Sequence, residues 1–144
     1  MTTTDAGCRQ LVSNFISARE DPEADALALM AESFTFQSPL MRFDDRGAYL
    51  ESHRSFQRLV RGKTVISGLY GPDDAILLYD LETATPVGVQ TTAEHLRFVE
   101  GKVAGIVLLF DSAPWRPVFE HLGRRSPTLY ARSRRGEDTR PGSG

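Results

Sequence analysis

The sequence contains little of what disulfides, metal sites and membrane spans require. Cys8 is its single cysteine and the chain has three histidines, so no internal disulfide can form and no His or Cys spacing indicates a metal site. No apolar run is long enough to cross a bilayer, and residues 1–5 are polar, unlike a signal peptide. We therefore expect a cytoplasmic protein with no metal and no membrane partner.

The chain also has no large excess of positive or negative charge. The 144 residues include 17 basic and 19 acidic side chains, so the chain lacks the basic footprint of a protein that binds nucleic acid. Arginine is concentrated only near the C-terminus, in a stretch rich in Pro, Gly and Ser. This composition predicts a folded domain over residues 1–122 and a disordered tail over residues 123–144. No phosphate-binding glycine loop or nucleophile elbow is present, so no cofactor is expected.

The first 60 residues have a helical apolar pattern. Hydrophobic residues make up 40% of the chain, enough for the core of one domain. Apolar residues recur at helical spacing over residues 8–20, and a second helix is predicted over residues 21–30, with an acidic first turn. A third helix is predicted over residues 44–60.

After Gly62 the pattern changes to that of strands. A short strand is also predicted before Pro39, and a short helix from Pro114. The predicted strands are residues 34–38, 64–70, 75–82, 91–99 and 103–110. Short connections predict an antiparallel meander. Helices followed by a meander indicate an α+β fold, with three N-terminal helices on one face of a strongly curved, mostly antiparallel sheet.

Two of the predicted strands are apolar on both faces. An antiparallel sheet with one solvent-exposed face would instead show alternating apolar and polar residues. The helices cover only one face, so we expect a homodimer through the other face. The residues predicted to form this contact are Leu77, Tyr79, Leu81, Val107 and Leu109.

Several segments carry a family resemblance. Residues 36–40, the hairpin from residues 78–82 to residues 94–98, and residues 100–106 resemble the SnoaL-like branch of the nuclear transport factor 2-like superfamily. The resemblance implies a cone-shaped α+β barrel with a deep apolar pocket. Its members include ketosteroid isomerase, limonene epoxide hydrolase, polyketide cyclases and proteins with no catalysis, so the fold alone does not define the chemistry.

The catalytic residues of these enzymes are mostly replaced. At the positions that match ketosteroid isomerase, Ser38 stands in place of an Asp and Phe15 in place of a Tyr, and only Glu94 keeps a carboxyl group. The positions that match limonene epoxide hydrolase are Asp80, Glu82 and Leu108, which lack its arginine and one of its acids.

One carboxylate pair remains as a candidate site. If the hairpin folds about Val87, Asp80 lies opposite Glu94 on an inner face. Two carboxyl groups in an apolar pocket would raise at least one pKa, which suits acid–base catalysis. Asp80, Glu94 and a relaying His53 are therefore the predicted catalytic residues, and Glu94→Gln is expected to stabilise the fold slightly by relieving repulsion.

The residues predicted to contact a ligand are mostly apolar. They are Phe15, Phe36, Ser38, Phe56, Tyr70, Leu78, Glu82, Leu96, Phe98, Leu108, Phe110 and Trp115, with Trp115 as a lid. Three functions stay open. The first is a cofactor-free cyclase, isomerase or epoxide hydrolase acting on a small apolar molecule by general acid–base catalysis. The second is a non-catalytic domain that binds a hydrophobic ligand, and the third is a dimeric protein-interaction module.

Overall fold

The computed structural model describes residues 5–125 and shows an α+β fold. Within that range the chain forms three α-helices, one 3₁₀ helix and six strands. In chain order these are α1 (Asp5–Glu20), the 3₁₀ helix (Ala26–Leu29), β1 (Met30–Gln37), β2 (Arg42–Phe43), α2 (Arg46–Gln57), β3 (Val60–Tyr70), β4 (Asp74–Thr83), β5 (Val89–Val99), β6 (Lys102–Leu109) and α3 (Trp115–Arg125).

The six strands form one mixed sheet in the order β2-β1-β6-β5-β4-β3. Strands β3 to β6 make the predicted antiparallel meander. Strand β1 pairs with β6 in parallel, because the long connection through α2 and the meander returns the chain in the same direction. The resemblance implies a barrel, but in the described residues the sheet is open, with β2 and β3 at its edges.

Residues 21–30 do not form the predicted α-helix. Only Ala26–Leu29 are helical, in a 3₁₀ turn capped by Asp25, whose side chain accepts a backbone hydrogen bond at 3.3 Å. Met30 leads directly into β1 and lies opposite Val103 of β6. Pairing in the sheet therefore outweighs the local helical pattern, and two α-helices rather than three precede the meander in the described chain.

Helix α2 is held in place at both ends. At its start the side chain of Asp45 accepts a hydrogen bond from the Ala48 amide at 2.9 Å, which is a normal N-cap. Near its end Arg54 Nη2 donates to the carbonyl oxygens of Asp21 and Ala24 at 3.1 and 3.2 Å. These bonds fix α2 against the segment after α1 and beside β1.

The predicted C-terminal helix forms and is longer than expected. Helix α3 continues to Arg125, so residues 123–125, which their composition assigned to the tail, are helical. The rest of the predicted tail lies outside the described residues.

Candidate functional site

The inner face of β4 carries its odd-numbered residues. Leu77 and Tyr79 are buried, whereas Leu78 is 36% exposed. Leu77 lies opposite Glu94 across the hairpin, in the place where the sequence predicts Asp80. The register therefore differs from the prediction by three residues, and an odd shift turns the other set of β4 side chains inward.

Asp80, Leu78 and Glu82 consequently lie on the outer face, and the predicted carboxylate pair does not exist. Asp80 is opposite Thr91, whose hydroxyl donates to Asp80 Oδ1 at 2.6 Å. The predicted inward position of Asp80, Leu78 and Glu82 is wrong, because the observed register turns all three away from the interior.

Glu94 does point inward, but its partner is Arg19 of α1. Arg19 Nη1 donates to Glu94 Oε2 at 2.6 Å, and Arg19 Nη2 donates to Glu94 Oε1 at 3.4 Å. Tyr79 donates from its hydroxyl to Glu94 Oε1 at 3.1 Å, and Arg19 Nη1 also donates to the Tyr49 hydroxyl at 3.0 Å. All four side chains are buried, and we call them the Arg19–Glu94 network.

The network keeps Glu94 ionised. Burial by itself would raise the pKa of the Glu94 carboxyl, but the charge of Arg19 and its hydrogen bonds outweigh burial and hold that pKa below its ordinary value. Burial raises the pKa of Tyr49 to about 12 and, with the charge of Glu94, also raises the pKa of Tyr79. The predicted raised pKa is thus contradicted, and Glu94 lacks the property that pointed to catalysis.

A cavity of about 90 Å³ lies among α2, α3 and the inner face of the sheet. The ring of Tyr49 lines it, while the hydroxyl of Tyr49 belongs to the Arg19–Glu94 network. Seven residues named from the sequence line this cavity, namely Phe36, Ser38, His53, Phe56, Leu108, Phe110 and Trp115. The sequence did not predict the others as ligand contacts; they are Leu40, Met41, Phe43, Tyr49, Ser52, Leu81, Gln90, Thr92 and Phe119.

Besides Leu78 and Glu82, four further residues predicted to contact a ligand lie away from the cavity. Phe15, Leu96 and Phe98 are buried in the core cluster rather than at the cavity. Tyr70 packs beneath Arg9, whose guanidinium carbon lies 4.3 Å from the ring centroid. Apolar inward-facing residues near both ends of the sheet look alike in sequence, so the pattern could not separate core from cavity.

His53 lines the cavity and contains a buried polar atom that is not accessible from the cavity. Its Nε2 atom is shielded from solvent and has no hydrogen-bond partner in the described part of the chain. Burial, aided by the charge of Arg19, holds the pKa of His53 well below its ordinary value, so the imidazole is neutral at pH 7. A neutral imidazole can accept or donate one hydrogen bond at Nε2, depending on its tautomer.

The amide and indole groups of the lining are already paired with each other. Trp115 Nε1 donates to Gln90 Oε1, and Gln90 Nε2 donates to Thr92 Oγ1 at 2.6 Å. The Ser38 hydroxyl accepts from the amides of Leu40 and Met41 at 3.2 and 3.1 Å, in the turn between β1 and β2. These lining side chains therefore already have hydrogen-bond partners within the described chain.

Arg19 is the main residue that the sequence analysis missed. It lies on the buried stripe of α1 formed by Cys8, Val12 and Phe15, at the next helical step. A charged residue is almost never fully buried unless it is paired. The helical spacing of Arg19 from the apolar residues of α1 therefore predicts that a buried acidic partner faces it.

The low pKa of His53 predicts a pH-dependent stability. Below about pH 6.5 the unfolded chain takes up a proton on this histidine and the folded chain does not, so the free energy of unfolding falls as pH is lowered from 6.5. The slope should be at most about 1.4 kcal/mol per pH unit. His53→Asn should flatten this slope between pH 6.5 and 5.5 in urea titrations, while His121→Asn, at an exposed position of α3, should not. Equal slopes in all three proteins would contradict a neutral buried His53.

Residues 5–125 contain neither a cluster of metal-binding side chains nor a helix suited to a membrane. No group of three or more His, Cys, Asp or Glu side chains in residues 5–125 is arranged to hold a metal ion. In the same range, none of the helices combines the length and the apolar character that crossing a membrane requires.

Comparison with known proteins identifies the fold. No protein-family model and no curated relative matches the sequence, but solved structures do. A nuclear transport factor 2-like protein of unknown function from Cytophaga hutchinsonii matches with a TM-score of 0.60 and 20% identity, over 78% of this chain and 94% of that one. A steroid delta-isomerase from Pseudomonas aeruginosa matches with a TM-score of 0.68 and 14% identity, over 89% and 97%.

A de novo designed protein with a curved β-sheet has a TM-score of 0.69 and 14% identity, over 85% of this chain and 99% of that one. At such identities the likeness establishes the architecture and leaves the activity open. Element order, the mixed sheet and these structural matches confirm the predicted resemblance at the level of fold: the chain has the nuclear transport factor 2-like fold.

Proposed function

We propose that the chain binds a small, largely apolar molecule in the cavity among α2, α3 and the sheet. The proposal is carried by the cavity lining, which is mostly aromatic and aliphatic and contains no charged side chain in the described residues. Ligand sites combine apolar walls with a few polar groups that fix orientation, and this cavity has that composition.

Acid–base catalysis at His53 is the second candidate function. Its support is the neutral imidazole at the cavity, which could accept a proton, and the presence of a steroid delta-isomerase among the structural neighbours. Binding ranks first because Asp80 lies on the outer face and Glu94 is held ionised by Arg19. A cyclase or isomerase working through a carboxylate therefore has no support from these two residues.

Trp115 provides a direct test of binding. It is the single tryptophan of the chain and lines the cavity, so titration with toluene should change its fluorescence and raise the thermal midpoint. Leu108→Phe, which adds volume at the lining, should weaken toluene binding at least about tenfold, equivalent to about 1.4 kcal/mol.

The matched control is Leu109→Phe. Leu108 and Leu109 are neighbours on β6, but Leu109 is 64% exposed on the outer face, so this second substitution should leave toluene binding unchanged. If toluene and similar single-ring compounds produce no change in wild-type protein, or if both substitutions act alike, the cavity is not the binding site.

We also propose that the outer face of the sheet forms a homodimer contact. The apolar residues there differ from the predicted set, because Leu77 and Tyr79 are buried in the core and Leu81 lines the cavity. The outer-face patch consists instead of Leu69, Ile76, Leu78, Val107 and Leu109, all at least 36% exposed.

Strand pairing makes this outer-face patch continuous. In one row across the sheet, Ile76 of β4 lies between Leu69 of β3 and His95 of β5, and His95 lies opposite Val107 of β6. In the next row, Ala93 of β5 lies between Leu78 of β4 and Leu109 of β6. Large exposed apolar patches usually mark sites of interaction with a partner, because soluble monomers rarely leave such patches in contact with water. A twofold contact can use one such patch on both partners, so a second copy is the occupant that we propose.

A further inference from the structure

A second cavity lies on the outer face of the sheet, at the end where β2, β1, β6 and β5 are neighbours. We call it the outer cavity, and its volume is about 170 Å³. Its lining includes two arginines, Arg42 and Arg97, and one acid, Asp44. The inner cavity, among α2, α3 and the sheet, has no charged side chain in its described lining. The two faces of the sheet therefore offer cavities of different chemistry.

Strand pairing places the two arginines on opposite sides of the outer cavity. Arg42 of β2 is opposite Gln37 of β1. Arg97 of β5 is opposite Gly105 of β6, which is in turn opposite Thr35 of β1. Only β1 and β6 separate the two arginine backbones, and neighbouring strands are about 4.8 Å apart. Two side chains of this length can therefore approach one ligand that lies above β1 and β6.

Arg97 is oriented by the glycine beside it. A Cβ atom at Gly105 would lie 3.0 Å from Arg97 Nη2, 3.5 Å from Nε and 3.6 Å from Cζ, so the guanidinium group lies directly over the glycine. Arg97 Nη2 also donates to the carbonyl oxygen of Ala104 at 3.4 Å. A guanidinium group has five N–H donors, and the Arg97 side chain is exposed. The group is thus held in place while most of its donors stay open to a ligand.

Neither arginine has an acidic partner in the described residues. The ion pairs within residues 5–125 join other side chains. His95, which also lines the outer cavity, has its Nε2 atom 2.9 Å from Asp74 Oδ2. Asp44 opposes the arginines, but it is outnumbered, so the lining carries one net positive charge apart from His95. Unpaired guanidinium groups at a cavity favour an anionic ligand.

The shape and charge of these groups select a carboxylate among anions. A guanidinium group binds a carboxylate through two parallel N–H···O bonds, and one negative charge balances the lining. A phosphate ester carries about 1.5 to 2 negative charges at pH 7, which leaves an excess beside Asp44. An engineered cavity of about 150 Å³ in another protein holds benzene, so the outer cavity, at about 170 Å³, accommodates an acid of that size.

We propose that the outer cavity binds a small organic carboxylate, whose oxygens accept hydrogen bonds from Arg97 and Arg42. This site is independent of the inner cavity and lies on the opposite face of the sheet. It shares only Val107 with the outer-face patch, so a dimer contact centred on the other patch residues leaves room for the ligand.

Nuclear magnetic resonance titration with benzoate and benzamide tests the proposal. The two compounds have nearly the same shape, but only benzoate is charged. At low ionic strength benzoate should bind at least about tenfold more tightly than benzamide, and it should shift the amide resonance of Gly105 and the Nε–H resonance of Arg97. A shift confined to the indole resonance of Trp115 would report the inner cavity instead and would contradict the proposal.

Substitutions of Arg97 assign the binding to the guanidinium group. Arg97→Met keeps an apolar stem without the charge and should weaken benzoate binding at least about fivefold. Arg97→Lys keeps the charge but loses the planar pair of donors, so its affinity should lie between those of the wild type and Arg97→Met. The matched control is Arg58→Met, at an exposed arginine that follows α2 and lies outside the outer cavity, and it should leave benzoate binding unchanged.

Two further substitutions should act in opposite directions. Gly105→Ala changes no charge, but its methyl group would displace the guanidinium group of Arg97, so benzoate binding should weaken at least about threefold. Alanine suits a strand no worse than glycine does, so far-ultraviolet circular dichroism should stay unchanged. Asp44→Asn removes a repulsive charge from the lining and should strengthen benzoate binding about twofold.

Several results would overturn the proposal. They are absent benzoate binding, equal binding of benzoate and benzamide, tighter binding of phenyl phosphate than of benzoate, and benzoate binding that survives both Arg97→Met and Gly105→Ala. Another is benzoate binding that appears only when Leu69→Glu, on β3 and outside the outer cavity, has dissociated a dimer, because the outer cavity would then belong to the partner contact. None of these results bears on the inner cavity, which toluene tests separately.

Discussion

Glu94→Gln is expected to lower the free energy of unfolding by about 3–5 kcal/mol, because it removes one charge of a buried ion pair and leaves the other in place. Glu94 is 1% exposed and accepts from Arg19 Nη1 at 2.6 Å. Glutamine keeps the size of the side chain but leaves the guanidinium of Arg19 buried without a counter-charge, and arginine cannot release its proton. Urea denaturation at pH 7 measures the change. The sequence alone predicts the opposite sign, since it pairs Glu94 with another acid.

A surface ion pair supplies the matched control. Lys63 Nζ lies 3.5 Å from Glu20 Oε1, and both side chains are partly exposed. Glu20→Gln should therefore cost less than about 1 kcal/mol. If Glu94→Gln costs no more than this control, Arg19 and Glu94 do not form a buried pair in solution.

The double substitution Arg19→Met with Glu94→Leu separates charge from packing. Replacing both ions by apolar side chains removes the unpaired charge, so the double variant should be more stable than either single variant. The hydroxyls of Tyr49 and Tyr79 each lose a partner in this variant, so full recovery is not expected. Additive losses in the two single variants and the double variant would contradict a direct Arg19–Glu94 interaction.

The same pair gives a second readout at acid pH. The folded-state pKa of Glu94 lies below its unfolded value of about 4.5, so its stabilising contribution is present above pH 4.5 and is lost as pH falls through the folded pKa. Glu94→Gln should consequently show a shallower loss of stability below pH 4.5 than the wild-type protein. This acid range is separate from the range near pH 6 that reports on His53.

The meander could be predicted from sequence because its strands and turns follow local rules. The connection Glu100-Gly101 has both residues at positive φ, 51° and 76°, a turn conformation that glycine adopts freely. Strands β3, β4 and β5 extend the predicted ones by one to four residues, and β6 begins and ends one residue earlier than predicted. Period-two patterning and turn residues were sufficient here, since both act over short stretches of chain.

The face of β4 could not be predicted in the same way. Leu77 and Leu78 are both apolar, so alternation does not say which of them points inward. The register is set instead by the hairpin loop, in which the amide and the hydroxyl of Thr83 both donate to the Gly88 carbonyl at 2.8 Å. This closure pairs Glu82 with Val89 and Leu77 with Glu94, and it decides which acid becomes part of the site.

The buried ion pair between Arg19 and Glu94 could not be predicted from local sequence patterns. Arg19 and Glu94 are separated by 75 residues, and no local pattern links them. His53, by contrast, was predicted from the sequence as a candidate site residue, and it does line the cavity. What the sequence could not show is that His53 lines a cavity together with Trp115 and Phe119, because that depends on the packing of α3.

Leu109→Glu is expected to convert a homodimer into a monomer. Leu109 is 64% exposed and belongs to the outer-face patch, which we propose to be the dimer contact. In a twofold contact each substitution appears twice, so two carboxylates would be buried against apolar side chains of the partner. The dissociation constant should rise at least about a hundredfold, equivalent to about 2.7 kcal/mol, and sedimentation velocity at micromolar concentration should detect the change.

Leu27→Glu is the control for this experiment. Leu27 is also exposed, at 37%, but it lies on the 3₁₀ helix and away from the outer face, so this substitution should leave the dimer intact. Both variants should keep the wild-type far-ultraviolet circular dichroism, since neither side chain is buried within the chain. A monomeric wild-type protein, or a dimer that survives Leu109→Glu, would contradict the proposed contact, because a charge buried within an apolar twofold interface is strongly destabilising.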